Sequence, residues 1–126
     1  MTSPFKSKGG PKRLIGALRY SLQGFLAAFK HEAAFRQELL LAAVLTPCAF
    51  WIGRSGPEVL ILLSTLVFVL IVELLNSAIE ALADTITLEH HPLIGRAKDL
   101  GSAAVMLSLI FSATIWIYLL YTRLTT

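Results

Sequence analysis

A single cysteine, Cys48, rules out an internal disulfide framework, and its place inside an apolar run marks it as a small core hydrophobe. Charge is scarce too. Eleven Lys and Arg against eight Asp and Glu leave a net charge of +3, which is no nucleic-acid signature. Gly9-Gly10 is not a phosphate loop, because nothing resembling G-x-x-x-x-G-K-[ST] follows it. No cleavable leader is evident: Met1 to Arg13 is polar and basic, without an apolar region and cleavage site behind it, so the later helices are expected to stay in the mature protein. What the chain does have is apolar residues, 56% of its 126, which places it as a single membrane domain. Three helices are too few to wrap a ligand-sized cavity alone, so oligomerisation is expected.

The stretch from Val59 to Asp84 organises the rest. Its first part, V-L-I-L-L-S-T-L-V-F-V-L-I, is hydrophobic all round, and the whole is long enough for a bilayer, which needs about 20 residues. Its second part carries Glu73, Asn76, Glu80 and Asp84 at steps of three, four and four, which keeps all four on roughly one helix face. A carboxylate within a membrane segment costs at least ~2.5 kcal/mol, so it needs a partner or a use. A polar seam joining helices is one such use, and a reaction site is another.

In chain order, residues 1–11 read as a flexible tail with lysines suited to anionic lipid. Residues 12–30 read as an amphipathic basic helix in the interface plane. Its apolar stripe holds Leu14, Leu18, Leu22, Phe25 and Phe29, and Lys12, Arg19, Gln23 and Lys30 lie on another side. Residues 32–53 form the first crossing, with Pro47 a candidate kink and Trp51 an interfacial anchor. Gly53 to Pro57 is an external turn, 57–86 the second crossing, Thr85 to Gly95 an internal loop, and 97–122 the third crossing. Ala104, Ser108 and Ser112 repeat every four residues and permit close helix approach. The basic residues ahead of the first crossing put the amino end in the cytoplasm and the carboxyl end in the periplasm. The fold expected is therefore an all-α membrane protein with three transmembrane helices and an N-terminal surface helix.

This topology brings polar groups from three crossings to one depth: Glu32, then Glu73 and Glu80, then Lys98 and Asp99, with Arg13 and Arg19 on the same side. Among the acidic residues only Glu58 falls at the other face. Carboxylates with lysine and arginine suit an anionic ligand held through magnesium, which takes one or two protein carboxylates plus phosphate oxygens. Glu73 lies ~21 Å along the axis from Val59, deeper than the rest, where a drier carboxylate serves as a general base. A small proton-coupled transporter would use a membrane glutamate too, but Lys98-Asp99 beside the acidic cluster is explained by phosphate binding and not by cation transport. Adjacent histidines on a loop are poor helix-spaced metal ligands, so the pair His90-His91 reads first as solvated polarity.

The segments E-A-A-F-R-Q-E (Glu32 to Glu38), V-E-L-L-N-S-A-I-E-A (Val72 to Ala81) and G-R-A-K-D-L-G-S-A-A-V (Gly95 to Val105) resemble the bacterial integral-membrane diacylglycerol kinases, in order and spacing. The resemblance spans about Arg13 to Tyr121. It implies a homotrimer with active sites shared between subunits, and transfer of the ATP γ-phosphoryl group to diacylglycerol at the inner membrane. By position it implies Glu73 as the base, with Asn76 orienting it or a phosphate, and Glu32 and Glu80 as the carboxylates holding Mg2+. Lys98 and Asp99 would meet the phosphates and nucleotide, joined by Arg13, Tyr20, Glu89, His90 and His91. Ser21, Phe35, Arg36, Glu38, Trp51 and Ser102 correspond to the region lining the lipid site, where packing and anchoring are the plainer roles. The chain departs from the family pattern at Gly16, Leu22 and His90, where lysine, tryptophan and tyrosine are usual, and this bears on lipid and adenine contacts. Undecaprenol kinase, of the same fold, is the alternative acceptor reading.

Overall fold

Pro11 opens the first helix, α1 (Pro11–His31), where its missing N–H costs nothing. Gly10 before it takes φ 80°, a left-handed conformation that favours glycine, and its carbonyl accepts from Arg13 N at 3.0 Å. The helix ends where Glu32 turns extended while its N–H still reaches Ala28 O at 2.9 Å. Lys30 and His31 in the last turn suit the negative end of the helix dipole. Leu14, Leu18, Leu22, Phe25 and Phe29 are all exposed. The computed structural model describes residues 9–86, 89 and 91–126. They fall into two compact units, one ending at Glu32 and the other spanning residues 33–126.

The second unit is a bundle of α2 (Ala33–Ile52), α3 (Gly56–Ile86) and α4 (Pro92–Thr125). All three are long and apolar enough to cross a membrane, and among the described residues there is no strand. At 1.5 Å per residue α3 and α4 run ~46 and ~51 Å, so each outreaches a ~30 Å hydrocarbon core. Large apolar residues such as Leu40, Leu60, Leu107 and Ile117 point outward, as they do when lipid is the solvent. Pro47 sits inside α2 without ending it. It removes one backbone donor, and one residue earlier the Thr46 hydroxyl bonds Ala42 O at 2.7 Å.

The α2–α3 turn is built by close approach. A Cβ on Gly53 would lie 2.5 Å from Val59 Cγ2 and 2.8 Å from Val59 N, so only glycine lets the chain reverse so tightly. Ser55 Oγ accepts from Glu58 N at 3.3 Å, and Glu58 Oε1 accepts from Arg54 N at 3.4 Å, a reciprocal cap on α3. Arginines then tie this end together. The Arg123 Nε donates to Trp51 O at 3.1 Å with its guanidinium 5.4 Å from the Trp51 ring centre, while Arg54 donates to the carbonyl of Thr122. The last carbonyls of α2 and α4 are thus capped by cations.

Below the turn lies an apolar core of Ala49, Ile52 and Leu62, flanked by Leu63, Ile115, Trp116 and Leu119. Midway along, Trp116 Nε1 donates to Thr65 Oγ1 at 2.7 Å, which in turn donates to Leu62 O at 2.6 Å. Each polar group there has a bonded neighbour, as a dry interior demands. Toward the other end the packed interior changes character: Glu73, Asn76 and Ser77 of α3 are buried there, with Ala83 further along.

One boundary differs from the sequence reading. Helix α4 starts at Pro92, not near residue 97, because His91 caps it: His91 Nδ1 accepts from Leu93 N at 3.2 Å and Pro92 takes the first helical position.

Candidate active site

The polar face of α3 grades from dry to wet. Glu73 is 4% exposed, Asn76 and Ser77 are buried, Glu80 is half-buried and Asp84 is exposed. This follows from the helical period, which keeps the four predicted residues on the side facing the other helices while the axis climbs out of the bundle. The Asn76 Nδ2 donates to Glu80 Oε1 at 3.2 Å, so the amide of one predicted residue aims the carboxylate of another. One turn further, Asp84 Oδ1 meets Lys98 Nζ of α4 at 3.0 Å, an ion pair open to solvent. Asp99, beside Lys98, is exposed.

From α2, Glu38 enters the same neighbourhood. It lies within electrostatic range of Glu73 on α3. Glu38 also lines an apolar cavity of about 240 Å³ between the three helices, with Leu41, Ala42, Leu66, Ala113 and Trp116 among its walls. A void lined by hydrocarbon with a carboxyl group at its border has the composition of a site for an amphiphile.

Three buried polar atoms among the described residues lack a hydrogen-bonding partner: Glu38 Oε2, Asn76 Oδ1 and Ser77 Oγ. A buried orphan of this kind costs about 1–3 kcal/mol, so three of them around Glu73 mark a region not arranged for stability alone. The donor set of oxygen ligands suits Mg2+, although among the described residues no three metal-ligating side chains gather. Glu80 with phosphate oxygens meets the requirement of one or two protein carboxylates.

Not every predicted residue joins this cluster. Phe35 is buried in α2, whereas Arg36 and Ser102 are exposed. Trp51 lies thirteen residues beyond Glu38, ~20 Å along α2, and belongs to the arginine-capped end. Arg13, Tyr20, Ser21 and Glu32 are in the first unit, where Tyr20 is exposed and Glu32 caps α1. Glu89 is exposed, His91 serves as the cap of α4, and His90 lies outside the described residues. The sequence alone does not show two features: the electrostatic proximity of Glu38 and Glu73, residues 35 positions apart, and the approach of Gly101 on α4 to Asn76.

The family model for prokaryotic diacylglycerol kinase matches residues 19–120 of this chain. A diacylglycerol kinase of Pseudomonas aeruginosa is 52% identical over 114 residues, covering 90% of this chain and 93% of its own length. The enzymes of Haemophilus influenzae and Escherichia coli K12 are 45% and 44% identical, over 85% and 90% of this chain and 91% and 93% of theirs.

Proposed function

The chain belongs to the prokaryotic diacylglycerol kinase family, and from that we propose that it moves the γ-phosphoryl group of ATP to the free hydroxyl of 1,2-diacylglycerol, yielding phosphatidic acid and ADP. It is a multi-pass bacterial membrane protein. The proposed location is the inner membrane, with the Glu73 end at the cytoplasmic face. The observation that carries this reading is the buried Glu73 at the dry end of a face that becomes charged and wet within three turns. A lipid hydroxyl meets a nucleotide at such a boundary.

In the proposed reaction Glu73 takes the proton of the acceptor hydroxyl as its oxygen bonds to the γ-phosphorus, and the bond to the β-phosphate oxygen breaks. Catalysis of this kind is positioning plus charge neutralisation. Glu80 and Glu32 would hold Mg2+, which would supply neutralisation of phosphate charge. Lys98 leaves Asp84 for a phosphate oxygen, a stronger acceptor, and Asp99, Arg13, Tyr20, Glu89, His90 and His91 contribute to nucleotide binding. The apolar cavity beside Glu38 takes part of an acyl chain. Ser21, Phe35, Arg36, Trp51 and Ser102 belong to the wider lipid contact, and the exposed apolar side of α1 rests in the interface. The active form is a homotrimer with sites shared between subunits.

The test is ATP-dependent phosphorylation of diacylglycerol in mixed micelles, with undecaprenol as a competing acceptor. Replacing Glu73 with Gln is expected to lower turnover by about 10²–10⁴-fold, the usual contribution of a general base. Binding of a non-hydrolysable ATP analogue should persist. Wild-type turnover by the purified Glu73→Gln protein would remove Glu73 from this role, and preference for undecaprenol would reassign the acceptor.

A further inference from the structure

Asn76 is held from behind. A Cβ built on Gly101 would fall 2.3 Å from Asn76 Oδ1 and 3.4 Å from its Cγ, while the next neighbour, Ile79 Cδ1, would be at an ordinary 3.6 Å. The amide oxygen therefore occupies the space a side chain on α4 would fill. That oxygen is buried and has no hydrogen-bonding partner, so no donor fixes its direction. Two contacts among the described residues flank the amide: the bond from Nδ2 to Glu80 Oε1 at 3.2 Å, and the notch at Gly101.

We propose that Gly101 is a positioning residue for nucleotide binding, acting through Asn76 on the Glu80 carboxylate. This rests on the reading of Glu80 as the metal-nucleotide carboxylate. A methyl group at position 101 cannot coexist with the present amide, since 2.3 Å is far inside contact distance. The strain is relieved most cheaply by the far end of the Asn76 side chain, not by the backbones of two long helices. Rotation of the amide then withdraws Nδ2 from Glu80. The fold survives, and the carboxylate loses the group that aims it. Small residues elsewhere on α4 allow close approach in general, whereas Gly101 meets one particular atom.

The prediction separates positioning from packing. In Gly101→Ala the KM for Mg-ATP is expected to rise about tenfold or more, the usual effect of losing an outer-shell partner of a metal ligand. The KM for diacylglycerol should be unchanged. Mn2+ binding with a non-hydrolysable ATP analogue, followed by electron paramagnetic resonance, should weaken by a similar factor, which gives a readout independent of turnover. Asn76→Ala should show the same defect. The double variant Asn76→Ala with Gly101→Ala should be no worse than Asn76→Ala alone, because without the amide the new methyl group meets nothing closer than ordinary contact. The double variant also keeps the test open if Gly101→Ala alone fails to fold.

Unchanged Mg-ATP and Mn2+ affinities in Gly101→Ala would overturn the inference. So would defects that multiply in the double variant, since those belong to two independent residues. Glu80→Gln is run alongside. If it leaves Mg-ATP affinity intact, the assignment of Glu80 is what fails. If it weakens affinity while Gly101→Ala does not, the inference about Gly101 fails alone.

Discussion

Residue by residue, the face of α3 separates three kinds of carboxylate by their distance from water. Glu73 is buried and electrostatically in touch with Glu38, Glu80 is half-buried and held by an amide, and Asp84 is exposed and pairs with Lys98. A dry carboxylate is suited to a proton, an aimed one to a metal ion, and an exposed one to a replaceable ion pair. The last supports a prediction. Solvent screens the Asp84–Lys98 pair, so it adds little stability, and in the proposed function a phosphate competes with Asp84 for the same ammonium. Asp84→Asn should leave the melting temperature essentially unmoved and change the KM for ATP by less than about threefold, as for other exposed pairs. Lys98→Met should raise that KM about tenfold or more, since it removes a charge-assisted bond to phosphate. Steady-state kinetics on the two purified variants check this. Equal defects in both would mean that the pair itself, and not the ammonium, is what the nucleotide needs.

Element by element, the two ends of the bundle do different work. Near the turn, apolar packing of Ala49, Ile52 and Leu62 and the arginine caps hold α2, α3 and α4 together, while the opposite end tolerates unpaired polar atoms. Arg123 contributes a hydrogen bond to Trp51 O and a cation–π contact to the Trp51 ring. Arg123→Ala should therefore destabilise the protein by about 1–2 kcal/mol, from lost capping and ring contact, without altering the KM for either substrate. Denaturant unfolding in micelles together with kinetics would check both halves, and a kinetic defect without lost stability would contradict this division. The helices, the turn at Gly53 and the polar face of α3 were legible in the sequence, because each is a local pattern of spacing or turn chemistry. Contacts that depend on how helices register were not. Nothing in the residues between Glu38 and Glu73 says that their charges come within range of one another, and Gly101 reads as one more small residue until Asn76 is placed against it. The start of α4 is legible in His91-Pro92, a cap followed by a proline suited to the first helical position.

At the scale of the whole molecule, the residues implied in the reaction are split between two units, with Arg13, Tyr20 and Glu32 in residues 1–32 and Glu73, Glu80 and Lys98 in residues 33–126. If, as proposed, sites are shared between subunits, the chain that supplies Glu32 to a site can differ from the one that supplies Glu73. Mixing then becomes a measurement of architecture. Glu32→Gln and Glu73→Gln trimers should each be inactive. When the two are unfolded together and reassembled in equal amounts, a shared site is intact whenever its Glu32 comes from a Glu73→Gln chain and its Glu73 from a Glu32→Gln chain. Each condition holds for half of the subunits, so random closure of a cyclic trimer should restore about a quarter of the wild-type rate. A site built within one chain always contains one of the two lesions and recovers nothing. Activity near a quarter would therefore support sharing through Glu32, and its absence after verified mixing would place both glutamates on the same subunit.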